Sequence, residues 1–142
     1  MASEQDTTDL TMANRLHKGR SVQNMNTRVL LADPDQELLL IVGQMLTQHG
    51  FVIATANTGP KTAELLRQFM PVVLVMELDL PDGWSNRLLN MISIGLEVPC
   101  VPIIILSRFD GREHHRKLPI VKQYLVKPVS ISKLKECICC AT

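Results

Sequence analysis

Four polar side chains stand where four short apolar runs of the chain end. They are Asp33, Glu77, Ser107 and Lys127. Short runs rich in Val, Ile and Leu, bounded by polar residues, Pro or Gly, are typical of strands that are buried on both faces. Such strands belong to parallel sheets, in which ligands bind outside the carboxyl ends of the strands. We therefore expect two acids, one hydroxyl and one amine to converge on one edge of a sheet.

The apolar runs alternate with segments of helical character. The predicted strands are 28–32, 51–55, 72–77, 101–107 and 120–126. Helices are predicted over 38–49, from Thr58, from about Ser85, weakly over 110–117, and after a cap at Ser130 or Ser132. Alternating strands and helices joined by short loops imply right-handed crossovers and a parallel sheet. The sequence therefore predicts a three-layer α/β/α domain with a five-stranded parallel sheet.

Local signals fix some of the helix details. Leu38, Val42 and Met45, spaced i, i+4 and i+7, are predicted to form the inner face of the first helix. Gly50 is predicted to end this helix in a left-handed conformation. The segment that begins with Asp33 also has the form of an N-cap followed by Pro, an acid and Gln, so Asp33 is expected to cap the helix as well as face the pocket.

Length and charge limit the classes of function. The 142 residues suffice for one domain, predicted at 27–142, after a polar, flexible tail at 1–26. A net charge of +1 gives no electrostatic reason to expect a nucleic acid or membrane partner. No apolar run approaches the roughly 20 residues of a membrane span, and the first residues do not form a secretory signal. We expect a cytoplasmic protein.

The four cysteines suggest packing more than chemistry. They are Cys100, Cys137, Cys139 and Cys140. Three of them crowd one segment, too close to bridge easily and with no second cluster to complete a zinc site. Reduced thiols that pack as small apolar residues are expected, and the alternative is a redox or metal role.

The adjacent His114 and His115 would point about 100° apart on a helix, so they do not form the i, i+4 pair of a zinc-binding helix. Both histidines are therefore expected to be solvated on the surface.

With these residues in these positions, the chain resembles the receiver domain of two-component response regulators over about residues 27–139. The matching features are Asp33 after the first strand, Glu77 with Pro81 four residues on, Ser107, and Lys127 followed by Pro128. Tyr124 matches the aromatic switch position of that family. The resemblance implies a flavodoxin-like fold with strand order 2-1-3-4-5 and a cis peptide bond before Pro128. In the family these residues hold Mg²⁺ and accept a phosphoryl group on an aspartate, and the hydroxyl and lysine read it out.

The sequence departs from the family at the acceptor itself. Glu77 stands where the family has its phosphoacceptor Asp, and the added methylene moves the carboxylate by more than about 1 Å, a misplacement that can cost about a hundredfold in rate. Sliding the match to Asp79 would lose the Pro four residues on. Lys127 is the obvious partner for Glu77 and Asp33, and a standing ion pair would partly imitate the phosphorylated state.

The metal site departs as well. The family usually has two acids in succession after the first strand, whereas here Pro34 follows Asp33 and offers no side-chain oxygen. Mg²⁺ needs near-octahedral oxygen ligands, so we expect only weak Mg²⁺ binding, by Asp33, Glu77 and Asp79, with Asp35 as a further pocket acid. Arg108 stands just after Ser107, where the family prefers a small residue.

The residues and the resemblance together favour a stand-alone, degenerate receiver-like signalling domain. It would have no enzymatic activity and would act through a protein partner, either a histidine kinase or a downstream signalling protein. The alternative is an active phosphotransfer receiver that accepts phosphate from a histidine kinase on Glu77 or Asp79 with Mg²⁺. A third class, small-ligand binding at the strand edge as in flavodoxin-like folds, has less support because no Gly-rich phosphate loop follows the first strand.

Overall fold

Strands and helices alternate along the chain in the computed structural model, which describes residues 26–108 and 118–142. The strands are β1 (Arg28–Ala32), β2 (Val52–Ala56), β3 (Val73–Met76), β4 (Ile103–Ser107) and β5 (Val121–Val126). The helices are α1 (Gln36–Gln48), α2 (Gly59–Gln68), α3 (Trp84–Ile94) and α4 (Ile131–Ala141), with a 3₁₀ turn at Pro81–Gly83 before α3. The tail predicted at the N-terminus, the helix predicted at 110–117 and the two adjacent histidines lie outside the described residues.

The five strands form one parallel sheet in the order β2-β1-β3-β4-β5, which confirms the predicted architecture and strand order. β3 is the central strand, and every residue of β3 and of β4 is buried. Apolar side chains pack on both faces of the sheet, in two separate clusters that include Leu30 and Leu74 on one face and Leu31 and Val75 on the other. The continuous apolar runs of β3 and β4 follow from this burial on both faces.

The inner face of α1 is shifted by one position along the sequence from the predicted face. Leu39, Gly43 and Leu46 are buried, whereas Met45 is 40% exposed. Periodicity was a weak guide here because apolar residues occupy every position from 38 to 42. The phase is set by contact with the sheet: the Cα of Gly43 lies so near β2 that a Cβ there would be 3.6 Å from Ile53 Cγ2.

The N-cap of α1 is Asp35 and not Asp33, which corrects the predicted cap. Asp35 Oδ1 accepts hydrogen bonds from the N–H groups of Glu37 at 3.1 Å and Leu38 at 3.2 Å. Pro34 therefore precedes the cap, and the extended backbone of Asp35 is the conformation an N-cap requires. This arrangement releases the side chain of Asp33 for the carboxyl edge of the sheet.

Other helix ends follow the local signals in the sequence. Gly50 has φ 98° just after α1, as predicted for a left-handed residue. Thr58 caps α2 with Pro60 in its first turn, and Ser130, not Ser132, caps α4 through Lys133 N–H at 3.1 Å. No helix among the described residues combines the length and the apolar character that crossing a bilayer requires.

The four cysteines are all unbridged. Cys137 lies on the buried face of α4 and packs in the core, while Cys100, Cys139 and Cys140 are exposed. Burial raises the pKa of the Cys137 thiol, so this residue is held as a neutral thiol at physiological pH. Its position agrees with a packing role for this residue.

Candidate functional site

The sheet register brings four polar side chains to one carboxyl edge. Ala32 of β1 pairs with Met76 of β3, so the residues that follow them, Asp33 and Glu77, are neighbours. Ser107 of β4 pairs with Val126 of β5, so Lys127 comes next to it. This edge lies where the strand order reverses between β1 and β3, the usual ligand position of open α/β sheets.

Lys127 bridges the two acids. Its Nζ donates to Asp33 Oδ2 at 2.7 Å and to Glu77 Oε1 at 2.8 Å. The side chains are little exposed, with 15% accessible for Lys127, 6% for Asp33 and 3% for Glu77. An ammonium between two carboxylates stabilises acids that would otherwise repel each other, and the limited contact with water strengthens both pairs.

The second oxygen of Glu77 is also occupied. Ser107 Oγ donates to Glu77 Oε2 at 2.6 Å, and the backbone N–H of Asp79 donates to the same oxygen at 3.2 Å. Both oxygens of this carboxylate therefore accept hydrogen bonds, one of them from a charged donor. A buried carboxylate with such a set of donors is stable as an anion.

Asp33, Asp35 and Asp79 play different parts, although all three were predicted as pocket acids. Asp33 is buried; its Oδ1 accepts from Asp35 N–H at 2.9 Å and its other oxygen faces Lys127. The side chain of Asp35 is exposed and caps α1, and Asp79 is exposed in the loop after β3. In residues 26–108 and 118–142, no three His, Cys, Asp or Glu side chains lie close enough together to hold a metal ion.

These contacts shift the pKa values of the charged pair. Burial by itself raises the pKa of Glu77, but the hydrogen bonds from Lys127 and Ser107 and the charge of Lys127 outweigh it. The pKa of Glu77 therefore lies below its ordinary value. Burial by itself lowers the pKa of Lys127, but its hydrogen bonds and charge interactions with the two acids outweigh this effect. The pKa of Lys127 therefore lies above its ordinary value. Both groups are accordingly charged across the physiological range.

The lowered pKa of Glu77 predicts a loss of stability in acid. A carboxyl whose pKa is lower in the folded state stabilises the fold above its unfolded pKa, about 4.3 for Glu, and loses that contribution as the pH falls through the folded pKa. Urea unfolding measured from pH 6 downwards should show this loss, and Glu77→Gln should make the curve shallower below about pH 4. Identical pH dependence in both proteins would contradict the assigned contacts.

The loop that positions Glu77 is held by a residue the sequence did not single out. Ser85 is buried in the first turn of α3; its Oγ donates to Glu77 C=O at 2.8 Å and accepts from Leu80 N–H at 3.1 Å. One hydroxyl thus closes the turn between β3 and α3. A Ser in the first turn of a helix is too common to be recognised from the sequence as a loop clamp.

Trp84, beside that loop, packs between the helices α2 and α3. Its ring lies against Gly59 at the start of α2, where a Cβ would come within 2.0 Å of Trp84 Cγ. The guanidinium of Arg87 lies 4.4 Å from the ring centroid, a cation–π distance. Trp84 therefore fixes the distance between α2 and α3 near the carboxyl edge.

The remaining predicted site residues lie on or next to β5 and β4. Tyr124 is half-buried on β5, opposite Ile105, and packs against the core cluster that contains Leu30. The peptide bond between Lys127 and Pro128 is cis. Arg108 is exposed directly after Ser107. Tyr124 lies within β5, whereas Lys127 follows the last residue of the strand, so the aromatic side chain and the bridging amine occupy different positions.

Comparison with known proteins agrees with this geometry. The model of the response regulator receiver domain family matches residues 29–139. Protein Rrf1 of Nitratidesulfovibrio vulgaris is 25% identical over 89 residues, which are 63% of this chain and 64% of Rrf1. Two-component response regulator ARR2 of Arabidopsis thaliana is 30% identical over 114 residues, covering 78% of this chain and 17% of ARR2. The chain thus spans less than two thirds of these two relatives.

Solved structures agree on the fold. The chemotaxis response regulator CheY4 of Vibrio cholerae superposes with a TM-score of 0.72 at 17% identity, over 83% of this chain and all of CheY4. At this identity the likeness concerns the fold alone. The family match, by contrast, covers most of the chain and includes all four residues of the carboxyl edge. The chain therefore belongs to the family of response regulator receiver domains, the receiver domains of two-component signalling.

Proposed function

We propose that this receiver domain is degenerate and acts through binding to a protein partner, with Glu77 as a fixed negative charge in the place of the phosphoacceptor. The observation that carries the proposal is the occupied carboxylate of Glu77, with Lys127 Nζ at 2.8 Å and Ser107 Oγ at 2.6 Å. These are the amine and the hydroxyl that, by the family resemblance, read out a phosphoryl group. Here they are engaged without one.

The charge of Glu77 supports a state that needs no phosphorylation. A carboxylate supplies one negative charge where a phosphoryl group adds about 1.5 to 2, so the imitation is partial. The contacts of Glu77 nevertheless occupy Lys127 and Ser107 at the same time, and burial restricts exchange with water. The domain would therefore present one conformation to its partner, a histidine kinase or a downstream signalling protein, whether or not a phosphodonor is present.

The oxygen donors support weak Mg²⁺ binding at most. One oxygen of Asp33 and one of Glu77 face Lys127, and the others accept from N–H and O–H groups. Pro34 supplies no side-chain oxygen, and Asp35 is used as a helix cap. Mg²⁺ prefers several oxygen ligands at about 2.0–2.1 Å, so a cation would have to displace the ammonium of Lys127 first. The residues present do not fit a resident Mg²⁺ ion.

Intact mass spectrometry after incubation with acetyl phosphate and Mg²⁺ tests this function. We expect no phosphoryl adduct on the wild-type protein, because the carboxylate of Glu77 is displaced by more than about 1 Å from an aspartate's and is already paired. We expect an adduct on the double variant Glu77→Asp with Pro34→Asp, which shortens the acceptor and restores the second acid. The single variant Glu77→Asp separates the contribution of the acceptor from that of the metal site.

A Mg²⁺-dependent adduct on the wild-type protein would contradict the proposal and favour active phosphotransfer. Asp79→Asn would then decide between the two acids, since loss of the adduct in this variant would locate it on Asp79. An adduct that persists in Asp79→Asn and disappears in Glu77→Gln would locate it on Glu77. In either case partner binding should be measured with and without acetyl phosphate, because the proposed fixed state predicts no difference.

A further inference from the structure

The outer strand β2 has an open hydrogen-bonding edge. Val52 N–H donates to Thr27 C=O and Ala56 C=O accepts from Asp33 N–H, so these residues face β1. Because backbone direction alternates along a strand, Ile53 and Thr55 direct their N–H and C=O groups away from the sheet. Within the described ranges, 26–108 and 118–142, these outward groups have no hydrogen-bond partner.

This edge lacks the features that usually keep outer strands from pairing. The strand reads Val-Ile-Ala-Thr-Ala, with no charged residue, no Pro and no bulge in its pairing with β1. Natural sheets blunt exposed edges with charges, Pro or bulges, or cover them with another segment. An edge of this composition is therefore suited to being covered.

A groove of about 1170 Å³ runs beside the same edge, between β2 and α1. Its lining includes Leu39 and Leu40 of α1 together with Ile53 and Thr55 of β2. Gly43 deepens the groove, because glycine has no side chain and the methyl groups of Ile53 and Thr55 therefore form the floor. Leu40 is 61% exposed on its rim. The groove thus offers apolar contacts next to unpaired main-chain groups.

The described chain begins at Asn26, beside the start of β2, where Thr27 C=O accepts a hydrogen bond from Val52 N–H. The 25 residues before Asn26 lie outside the described residues. Their apolar stretch is residues 10–16, with Leu10, Met12 and Leu16. The ten residues from 16 to 26 can span roughly 30 Å when extended, more than the about 17 Å of the five-residue strand β2. Tethering also gives this stretch a high effective concentration at the groove.

We propose that residues 10–16 of the chain's own N-terminal segment occupy this groove and add an extended strand to β2. Their main chain would pair with the outward N–H and C=O groups of Ile53 and Thr55, and their apolar side chains would contact Leu39 and Leu40. Asn26 lies beside the start of β2, so a segment that leads back from it along the groove would run antiparallel to β2. Its earliest residues would then lie at the carboxyl end of β2. There Asp9 would approach Lys61, which lines the groove and forms an exposed ion pair with Glu64 at 3.6 Å.

Amide hydrogen exchange measured by NMR on the full chain tests this proposal. We expect the amides of Ile53 and Thr55 to be protected in the wild-type protein, because an added strand takes their hydrogens out of contact with water. The double variant Leu10→Asp with Leu16→Asp should speed their exchange by about tenfold or more, with the inner amides of β1 unchanged. Leu96→Asp is the matched control, since this leucine is 85% exposed away from the groove and should leave both amides protected.

Two results would overturn the proposal. Free exchange of the Ile53 and Thr55 amides in the wild-type protein, or protection that survives the double variant, would show that residues 10–16 do not cover the edge. Protection that rises with protein concentration would instead assign the edge to a second copy of the chain, because docking within one chain does not depend on concentration.

Discussion

Replacing Lys127 with methionine is expected to lower the free energy of unfolding by about 3 kcal/mol, because removing one partner of a buried ion pair leaves uncompensated charge behind. Here two carboxylates, those of Asp33 and Glu77, lose their common counter-ion at 2.7 and 2.8 Å. Methionine keeps much of the length and apolar contact of the lysine stem, so the decrease in the free energy of unfolding reports mainly the removal of the positive charge. The partial exposure of Lys127 places the expected value at the lower end of the range for buried pairs.

Urea unfolding at neutral pH measures this effect. Lys133→Met is the matched control, because its ion pair with Glu136 is 4.0 Å long and exposed, and such pairs contribute at most about 1 kcal/mol. Adding Glu77→Gln to Lys127→Met should restore part of the lost stability, since one of the stranded charges is then neutral. Equal stability of Lys127→Met and the control would contradict the bridging role of Lys127.

Gly59→Ala is expected to destabilise the fold by about 2 kcal/mol, the middle of the range for inserting a methyl group into a well-packed region. A Cβ at this position would lie 2.0 Å from Trp84 Cγ and 2.2 Å from Trp84 Cβ, far inside van der Waals contact. The atoms it meets are at the base of the tryptophan side chain, so a change of rotamer cannot relieve the overlap. The helices α2 and α3 must separate instead, next to the loop that carries Glu77.

Gly43→Ala is the matched control for that substitution. Both glycines are helical, but a Cβ at Gly43 would meet its neighbours at 3.6 to 3.9 Å, which is ordinary contact. Alanine in a helix interior is favoured over glycine by about 1 kcal/mol, so this variant should be as stable as the wild type or more so. Thermal unfolding of both variants decides the matter, and similar effects at the two positions would contradict the packing of Trp84 against Gly59.

The fold and the gathering of the four edge residues could be predicted because both depend on strong, long-range signals. The short apolar runs of β3 and β4 favour strands covered on both faces, and parallel pairing then brings Asp33, Glu77 and Ser107 to one edge. Lys127 follows in register after β5. The convergence follows from parallel pairing, whereas the strand order 2-1-3-4-5 was implied by the resemblance to the receiver domain family.

Local details, in which either of two neighbouring residues could fill the same role, could not be predicted in the same way. Asp33 and Asp35 both have the composition of an N-cap, and only the path of the chain after β1 gives the cap to Asp35. The prediction of the inner face of α1 was wrong by one position, because the sequence of this helix is apolar at several successive positions. The clamp by Ser85 depends on a turn whose geometry no sequence pattern specifies.

The central claim of this account is that Glu77 is an ionised carboxylate held by Lys127 and Ser107 in the resting protein. The most direct test follows the side-chain carboxyl carbon of Glu77 by ¹³C NMR as the pH is lowered, with Lys127→Met as the comparison. We predict that the pKa of Glu77 lies below its ordinary value in the wild-type protein and rises in the variant. A wild-type pKa at or above the ordinary value, unchanged by the substitution, would contradict the fixed charge on which the proposed function rests.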